Sequence, residues 1–227
     1  MRWMLTVVMM LLPAFAAAQE APALKTEKEK LSYAMGMDLG TQLKARSVDI
    51  DPAVFARGLK DALSGSKTLL TDAEAKAIIT ELQKAMMVKQ AEAAKIAGEK
   101  NRAEGDAFLA ANKAKPGVVA LPSGLQYKVL TMGTGNKPTL DSTVVCQYRG
   151  TLINGTEFDS SYSRKEPATF PVKGVIKGWT EILQLMPAGS KWQVFIPPGL
   201  AYGERGSGTL IGPNATLIFD IELTAIK

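Results

Sequence analysis

The 227-residue chain contains no histidine and a single cysteine, Cys146. Without histidine, the sequence cannot supply a Ser-His-Asp or Cys-His nucleophile system, a histidine general base or a histidine-ligated metal site. One thiol cannot form an internal disulfide, and Cys146 lies in an alternating apolar segment typical of a core strand. Any catalysis must therefore work through binding and polarisation, and we expect neither a metal nor another cofactor.

A basic run or basic face is also missing. The 27 Lys and Arg residues are mixed along the chain with 22 Asp and Glu residues. A protein that binds nucleic acid would concentrate its positive charge on one run or one surface. We therefore expect no nucleic-acid partner.

The N-terminal segment has the layout of a secretory signal peptide. Arg2 is followed by an apolar run over residues 3–15 and by the small residues Ala16–Ala18. The run is shorter than the about 20 apolar residues of a membrane helix, and Pro13 would interrupt a helix. We predict cleavage after Ala18, no stable membrane span afterwards and a periplasmic protein, with outer-surface or extracellular release left open. An uncleaved membrane anchor is the alternative.

The composition changes near residue 115, which predicts two domains. Residues 25–115 are rich in Ala, Lys, Glu and Met and contain one proline, Pro52, whereas the chain from Pro116 onwards is rich in Gly, Pro, Thr and β-branched residues. Such a segregated order predicts an α+β fold rather than an interleaved one. We assign residues 19–115 to a helical dimerisation domain with a long connecting helix, and residues 116–227 to a β-rich domain.

Three helices are predicted in the first domain. The first covers Thr26–Ala45 and carries an apolar stripe at every fourth residue. The second begins at Asp51-Pro52, an N-cap followed by proline at the first helical position, and ends at Gly65. The third begins with a capping-box pattern at residues 71–74 and continues without proline to about Lys113.

The third helix is too long to be buried by this chain alone. About 40 helical residues span about 60 Å, which exceeds the width of a small domain. Its second half is mostly Ala, Lys and Glu, and is weakened by Gly98 and Gly105. Either this half is a solvent-exposed spacer, or a second chain covers the apolar residues of the first half. We expect a homodimer through the N-terminal helices; a monomeric helical cap folded back on the β-rich domain is the alternative.

The second domain alternates apolar and polar residues as half-buried strands do. Only one short helix is predicted among the strands, at about Trp179–Leu185. This pattern predicts an antiparallel half-barrel around that helix. The predicted strands cover residues 125–130, 143–152, 168–172, 191–196 and 215–226.

Four blocks of the second domain resemble the FKBP family of peptidyl-prolyl cis/trans isomerases. They occur in the family's order and at compatible spacing over about 110 residues. The helical region, with the motif at residues 31–36, resembles the dimerising domain of secreted Mip-like bacterial members. The blocks are Tyr148-Arg149-Gly150-Thr151-Leu152 with Asn154-Gly155 and Phe158-Asp159-Ser160-Ser161; Val175-Ile176-Lys177-Gly178-Trp179; Ala201-Tyr202-Gly203; and Pro213 to Leu223.

The resemblance implies an apolar pocket that holds the proline ring over Trp179. It also implies that Asp159 faces the peptide, that Arg164 pairs with Asp159 and Tyr148, and that the Tyr202 hydroxyl donates to a substrate carbonyl. The implied catalytic residues are Tyr148, Phe158, Asp159, Trp179, Tyr202 and Phe219. The implied substrate-binding residues are Arg164, Phe170, Val175, Ile176, Leu210 and Ile211.

Structural roles are the alternative for several of these residues. Asp159 can be a turn residue before two serines, and Tyr148 and Tyr202 can be ordinary core aromatics. Two positions depart from the family pattern. Ala168 replaces an aromatic residue that closes one wall in many members, and Ser207 replaces a histidine common in eukaryotic members. The first departure would widen the pocket.

The resemblance implies an isomerase that accelerates rotation about Xaa-Pro bonds of folding envelope or secreted proteins. Its partners would be proline-containing unfolded or partly folded polypeptides, and macrolide inhibitors could bind the same pocket. A holdase-type chaperone is the alternative, in which the Met-containing helices bind clients and the pocket holds proline passively. Both activities can coexist.

Overall fold

A computed structural model describes residues 24–227, so the predicted signal peptide lies outside the described residues. The chain divides into two compact units, the first ending at Glu74 and the second running from Ala75 to Lys227. This division follows packing, whereas the boundary after residue 115 follows composition and stays a prediction. The N-terminal helices are α1 (Glu27–Ala45), α2 (Pro52–Ser64) and α3 (Asp72–Asn112).

Side-chain caps fix the beginnings of α1 and α3. The Thr26 hydroxyl accepts a hydrogen bond from the Glu29 amide, while the Glu29 carboxylate accepts one from the Thr26 amide. Thr71 and Glu74 form the same reciprocal pair at α3. A capping box satisfies two amides that a helix end would otherwise leave unpaired. The predicted start of α3 is therefore confirmed.

The ends of α2 also follow local chemistry. The Asp51 carboxylate accepts hydrogen bonds from the amides of Ala53 and Val54, and Pro52 occupies the first helical position. Gly65 ends the helix in a left-handed conformation at φ 65°. Glycine adopts this conformation without the steric cost of a Cβ atom. The predicted limits of α2 are confirmed.

No side chain of α1 or α2 is buried. Several apolar residues of these two helices are more than half exposed, among them Leu31, Met35, Leu59 and Leu63. Helices this short gain most of their stability from packing of an apolar face, which the described chain does not provide here.

The second unit contains one antiparallel sheet of seven strands in the order β1-β2-β6-β7-β3-β4, with β5 also paired to β3. Its longest pairing joins β3 and β7 from Val144–Ile226 to Leu152–Leu217, so two ten-residue strands form the centre. The strands are β1 (Val118–Ala120), β2 (Gln126–Thr131), β3 (Thr143–Leu152), β4 (Glu157–Ser160), β5 (Ala168–Pro171), β6 (Lys191–Ile196) and β7 (Leu217–Ile226).

A short helix, α5 (Lys177–Leu183), packs its buried residues Trp179, Ile182 and Leu183 into the core formed by the sheet. The predicted half-barrel around one helix is confirmed. The structure adds a four-residue helix, α4 (Ser161–Arg164), that the sequence pattern did not predict. The helix α4 continues directly from β4 and carries Arg164 at its end.

The C-terminal part of α3 belongs to the second unit and is not a solvent-exposed spacer. The Asn112 side chain, which is 1% exposed, donates to Gln126 Oε1 at 3.0 Å. In turn Gln126 Nε2 donates to the Leu109 carbonyl at 2.9 Å. The Phe108 and Phe195 rings lie 5.9 Å apart. These contacts hold the end of α3 against β2 and β6.

Gly105 is buried on the same face of α3. A Cβ atom at this position would overlap the Thr216 hydroxyl and lie 3.3 Å from Thr216 Cβ. The helix can therefore approach the chain before β7 closely only because residue 105 has no side chain. Gly105, interpreted from the sequence as a weak point of the helix, is a packing position.

Candidate active site

One cavity of about 470 Å³ opens in the second unit between α5, the central strands and the loop that joins β6 to β7. Of the twelve residues predicted for the site, eleven line this cavity, and Arg164 contacts two of them from α4. The lining consists of Tyr148, Phe158, Asp159, Phe170, Val175, Ile176, Trp179, Tyr202, Ser207, Gly208, Thr209, Leu210, Ile211 and Phe219.

Aromatic rings surround Trp179, which is 4% exposed. The rings of Tyr148, Phe170 and Phe219 lie 5.2, 5.7 and 5.3 Å from its ring, at interplanar angles of 88°, 79° and 84°. Edge-to-face contacts of this kind place the positive edge of one ring on the negative face of another. We call the cavity around these four residues the aromatic pocket.

Gly150 on β3 permits the closure of one wall. A Cβ atom there would lie 2.6 Å from Phe158 and 2.8 Å from Phe219, closer than carbon atoms can approach. Because residue 150 has no Cβ atom, the Phe158 and Phe219 rings can pack with their centres 5.5 Å apart and an interplanar angle of 84°. The glycine in the Tyr-Arg-Gly-Thr-Leu block thus makes room for two pocket aromatics.

Ala168 and Phe170 lie on the same face of β5, since side chains two residues apart on a strand point the same way. Phe170 packs against Tyr148 at 5.8 Å and against Trp179. An aromatic side chain therefore lies in this wall although residue 168 is alanine. The departure at Ala168 leaves the neighbouring aromatic contact in place.

A polar network borders the aromatic pocket. The Tyr148 hydroxyl donates to Asp159 Oδ2 at 2.6 Å and accepts from Arg164 Nη2 at 2.7 Å. Arg164 Nη1 donates to the other Asp159 oxygen, so both carboxylate oxygens are bound. The Arg164 guanidinium carbon also lies 5.5 Å from the centre of the Tyr148 ring, within cation–π distance.

This network fixes the charge state of the site. Partial burial raises the pKa of Asp159, but hydrogen bonds from Tyr148 and Arg164 outweigh it and hold the pKa below its ordinary value. Burial, followed by the hydrogen bond to Asp159, raises the pKa of Tyr148. Burial and the charge of Asp159 raise the pKa of Tyr202. At neutral pH the site therefore contains a carboxylate, a guanidinium and two protonated phenols.

The joining loop supplies one side of the pocket. Tyr202, which is 39% exposed, and the segment from Ser207 to Ile211 face the cavity from this loop. Ser207 and Ile211 exchange backbone hydrogen bonds of 2.8 and 3.2 Å. Gly208 and Thr209 also line the pocket but were not predicted from the sequence. Their position in the chain between Tyr202 and Leu210, two predicted site residues, could have indicated them.

Cys146 is buried in β3, and burial raises the pKa of its thiol to about 12. A thiol with this pKa is a poor nucleophile at neutral pH. Its predicted core role is consistent with this burial. Within residues 24–227, no group of three or more His, Cys, Asp or Glu side chains is arranged to hold a metal ion.

Family comparisons match both halves of the chain. The model described as the domain amino terminal to FKBP-type peptidyl-prolyl isomerase matches residues 28–129, and the model for FKBP-type peptidyl-prolyl cis-trans isomerase matches residues 134–224.

Curated relatives and a solved structure agree with these matches. "Outer membrane protein MIP" of Legionella longbeachae is 53% identical over 93% of this chain and 91% of its own length. "Peptidyl-prolyl cis-trans isomerase Mip" of Coxiella burnetii is 48% identical over 92% of this chain and 91% of its own. The crystal structure of FkpA from Escherichia coli covers 90% of this chain and 99% of its own, at 34% identity and a TM-score of 0.67. The chain therefore belongs to the FKBP-type peptidyl-prolyl cis-trans isomerases, of the Mip and FkpA type, as its motifs predict.

Proposed function

We propose that the aromatic pocket is the isomerase site and that the proline ring of the substrate packs on Trp179. The observation that carries this proposal is the group of three aromatic rings set edge-on around Trp179 beside an ionised Asp159. An apolar ring can enter such a cavity, while the polar network lies where the peptide backbone would pass.

The required chemistry is modest. Rotation about an Xaa-Pro bond crosses a barrier of about 20 kcal/mol, which corresponds to a rate on the order of 10⁻² s⁻¹. A rate on the order of 10² s⁻¹ needs a barrier about 5–6 kcal/mol lower. No covalent intermediate or proton transfer is needed, which agrees with a chain that lacks histidine.

An apolar pocket lowers this barrier because the two states differ in polarity. The planar amide is stabilised by resonance and charge separation, both of which diminish in the twisted transition state. A dry aromatic environment therefore disfavours the planar form more than the twisted one. In our proposal, Tyr202 donates to a substrate carbonyl, and Arg164 and Tyr148 hold Asp159 against the bound peptide.

The first test is the cis-to-trans rate of a short Xaa-Pro-Phe peptide, which is measured by NMR exchange spectroscopy. Trp179→Leu and Asp159→Ala should each lower kcat/KM at least tenfold, because one removes the aromatic floor and the other the pocket carboxylate. Lys173→Ala is the matched control, since Lys173 is exposed and pairs only with Asp141. Full activity in both pocket variants would mean that the isomerase site lies elsewhere in the molecule.

The substrates, in our proposal, are proline-containing segments of unfolded or partly folded envelope proteins, and the mature protein resides in the periplasm. The signal-like residues 2–18 support an envelope location, as does the name of the Legionella longbeachae relative, an outer membrane protein. Within residues 24–227, no helix is both long and apolar enough to cross a membrane. Fractionation of cells that express the full chain, with N-terminal sequencing of the product, tests the location and the cleavage after Ala18.

We propose further that a second copy of the chain covers the N-terminal helices. All apolar side chains of α1 and α2 remain exposed or only partly covered, and Ile78 and Ile79 at the start of α3 are more than half exposed. Soluble oligomers are most often two-fold symmetric dimers of one chain. Light scattering should give a dimer for the mature protein and a monomer for Met35→Glu, whereas Lys28→Glu on the same helix should stay dimeric.

A chaperone activity is the second candidate, and the exposed methionines favour it. Met35, Met37 and Met87 are 60–70% exposed, and methionine surfaces adapt to varied apolar partners. Under the holdase alternative, Trp179→Leu loses isomerisation but still suppresses aggregation of a denatured client. Loss of both activities in Trp179→Leu would instead assign client binding to the aromatic pocket.

We also propose that macrolide inhibitors bind the aromatic pocket. Its volume of about 470 Å³ and its apolar lining are in the range of small-molecule sites. A macrolide should compete with the peptide substrate and raise its KM without changing kcat. Unchanged kinetics at saturating inhibitor would contradict this part of the proposal.

A further inference from the structure

The loop between β6 and β7, residues 197–216, contributes more residues to the aromatic pocket than any other segment. Within the loop, the Asn214 amide donates to the Gly203 carbonyl at 2.8 Å, directly after Tyr202. The paired backbones of Ser207 and Ile211 hold the part that faces the cavity. We call residues 197–216 the pocket loop.

The helix α3 contacts the pocket loop at residues 212–214. Asn101 Nδ2 donates to the Pro213 carbonyl at 2.8 Å, and this bond is partly buried. Asn214 Nδ2 approaches the Gly98 carbonyl at 3.4 Å. Both bonds join residues more than 110 positions apart, and both lie within the second unit.

Asn214 connects these contacts to the pocket. Its backbone has a φ of 54°, a left-handed conformation that asparagine tolerates better than most residues. The side chain of Asn214 donates to α3 at the Gly98 carbonyl, while its backbone amide donates to the Gly203 carbonyl, next to Tyr202. Gly212, next to Ile211, also lies against Asn101, because a Cβ atom there would be 3.0 Å from Asn101 Nδ2.

We infer that Asn101 is a positioning residue for the isomerase: through Pro213 and Asn214 it holds Tyr202 and Ile211 in their places at the aromatic pocket. Asn101 is not among the residues that line the aromatic pocket, so it would act on the substrate only through the pocket loop. The inference rests on the proposed assignment of the aromatic pocket, and it gives α3 a role in substrate binding by the isomerase domain.

The expected kinetic effect of losing Asn101 follows from the fraction of molecules in which the pocket loop completes the pocket. When Asn101 is lost, the pocket loop spends part of its time in arrangements that do not complete the pocket. The apparent Kd for substrate then rises, because it equals the intrinsic Kd divided by the fraction of molecules that remain competent. Once bound, the substrate selects the complete pocket, so turnover is preserved. KM should rise and kcat should not change.

The test uses the mature full-length protein with Asn101→Ala. Alanine has a higher helix propensity than asparagine, so the change does not weaken α3 itself. Loss of one partly buried hydrogen bond corresponds to roughly a three- to tenfold change in an equilibrium. The rise in KM can reach this factor but not exceed it. We expect a KM for the proline peptide raised about two- to tenfold and a kcat within twofold of wild type. Arg102→Ala, at an exposed neighbouring position, is the matched control and should leave both constants unchanged.

A second measurement does not depend on activity. Hydrogen exchange of the Ser207 and Ile211 amides should be faster in Asn101→Ala and unchanged in Arg102→Ala. Asn101→Gln, which keeps the amide donor, should recover part of the wild-type KM. Wild-type KM together with wild-type exchange in Asn101→Ala would overturn the inference, even if Trp179→Leu is inactive. Full activity of Trp179→Leu would instead reject the pocket assignment, independently of the exchange result.

Discussion

The polar residues of the pocket combine into one fixed charge state. Asp159 has a lowered pKa, whereas the pKa values of Tyr148, Tyr202 and Arg164 are raised. Each shift moves a titration away from neutrality. Burial favours the protonated forms of Tyr148 and Tyr202, whereas hydrogen bonds from Tyr148 and Arg164 outweigh burial at Asp159 and favour its carboxylate. The absence of histidine from the chain removes the residue that ordinarily titrates near pH 6.5.

We therefore expect kcat/KM to be constant between about pH 5 and pH 9. Asp159 is ionised above its lowered pKa, and both tyrosines stay protonated below their raised pKa values, so no pocket group changes charge in this window. NMR exchange measurements on a peptide without titratable groups, made without a coupled protease, give kcat/KM as a function of pH. A bell-shaped profile with an apparent pKa inside the window would contradict the assigned charge state.

A second prediction concerns the space at Gly150. In Gly150→Ala the new methyl group would meet the rings of Phe158 and Phe219 at less than 3 Å, so both rings must move. We expect kcat/KM to fall at least tenfold and the free energy of unfolding to fall by about 1–3 kcal/mol, the usual cost of overpacking. Peptide kinetics and chemical denaturation provide the two readouts.

Gly199→Ala is the control for this change. Gly199 is exposed, has no positive φ, and has no atom within 4 Å of a Cβ atom built on it. This variant should retain wild-type stability and kinetics. Equal behaviour of the two alanine variants would mean that the pocket rings tolerate displacement.

Eight of the twelve site residues predicted from the sequence belong to blocks of consecutive motif residues. Asp159 follows Phe158 in such a block, and the structure brings both to the cavity. Asn101 belongs to no motif, and its contact with Pro213 spans 112 positions. A contact between distant residues leaves no local signal in a single sequence, so no pattern could have selected Asn101.

At the scale of elements, the predictable boundaries are those that side chains fix locally. Asp51 and Gly65 limit α2, and the alternating residues of β3 and β6 predict their bounds without error. The elements β1, β4 and α4 have three or four residues each, which is too short for a periodic pattern. Pairing with β2 defines β1, and pairing with β3 defines β4. Such pairing depends on the rest of the fold.

The attachment of α3 to the sheet provides a prediction at this scale. In Asn112→Ala, the buried Gln126 Oε1 loses its hydrogen-bond donor. We expect a loss of about 1–3 kcal/mol in the free energy of unfolding, the usual cost of an unsatisfied buried polar group. Denaturant unfolding measures this loss.

Lys113→Ala is the neighbouring control, because residue 113 is exposed. The control should unfold as the wild type does. Both variants should isomerise a short peptide with wild-type kcat, since neither residue lines the cavity. An unchanged stability of Asn112→Ala would mean that the other contacts of α3, among them that of Phe108 with Phe195, are enough to attach the helix.

At the scale of the whole molecule, composition and packing divide the chain at different places. The composition changes near residue 115, but residues 75–112 of α3 pack within the unit that contains the sheet. Helical composition therefore identifies the secondary structure of this segment and not the unit to which it belongs. The contacts of Asn101, Phe108 and Asn112 make the end of α3 part of the isomerase unit.

Two fragments distinguish these divisions. Residues 75–227 retain every contact of α3 with the sheet and the pocket loop, whereas residues 116–227 lose the partners of Phe195, Gln126 and Pro213. Exposure of one aromatic side chain costs about 1.5–3 kcal/mol, to which the unpaired Gln126 adds about 1 kcal/mol or more. The shorter fragment should therefore have a Tm lower by on the order of 10 °C.

The same pair of fragments separates stability from catalysis. All twelve predicted site residues lie after residue 116, so both fragments contain the aromatic pocket and both should turn over a short proline peptide. The shorter fragment lacks Asn101, so its KM should rise while its kcat stays near that of residues 75–227. Calorimetry and peptide kinetics on the two fragments at one temperature, below both Tm values, measure these effects. Equal Tm and equal KM would place the functional boundary after residue 115, as the composition alone predicts.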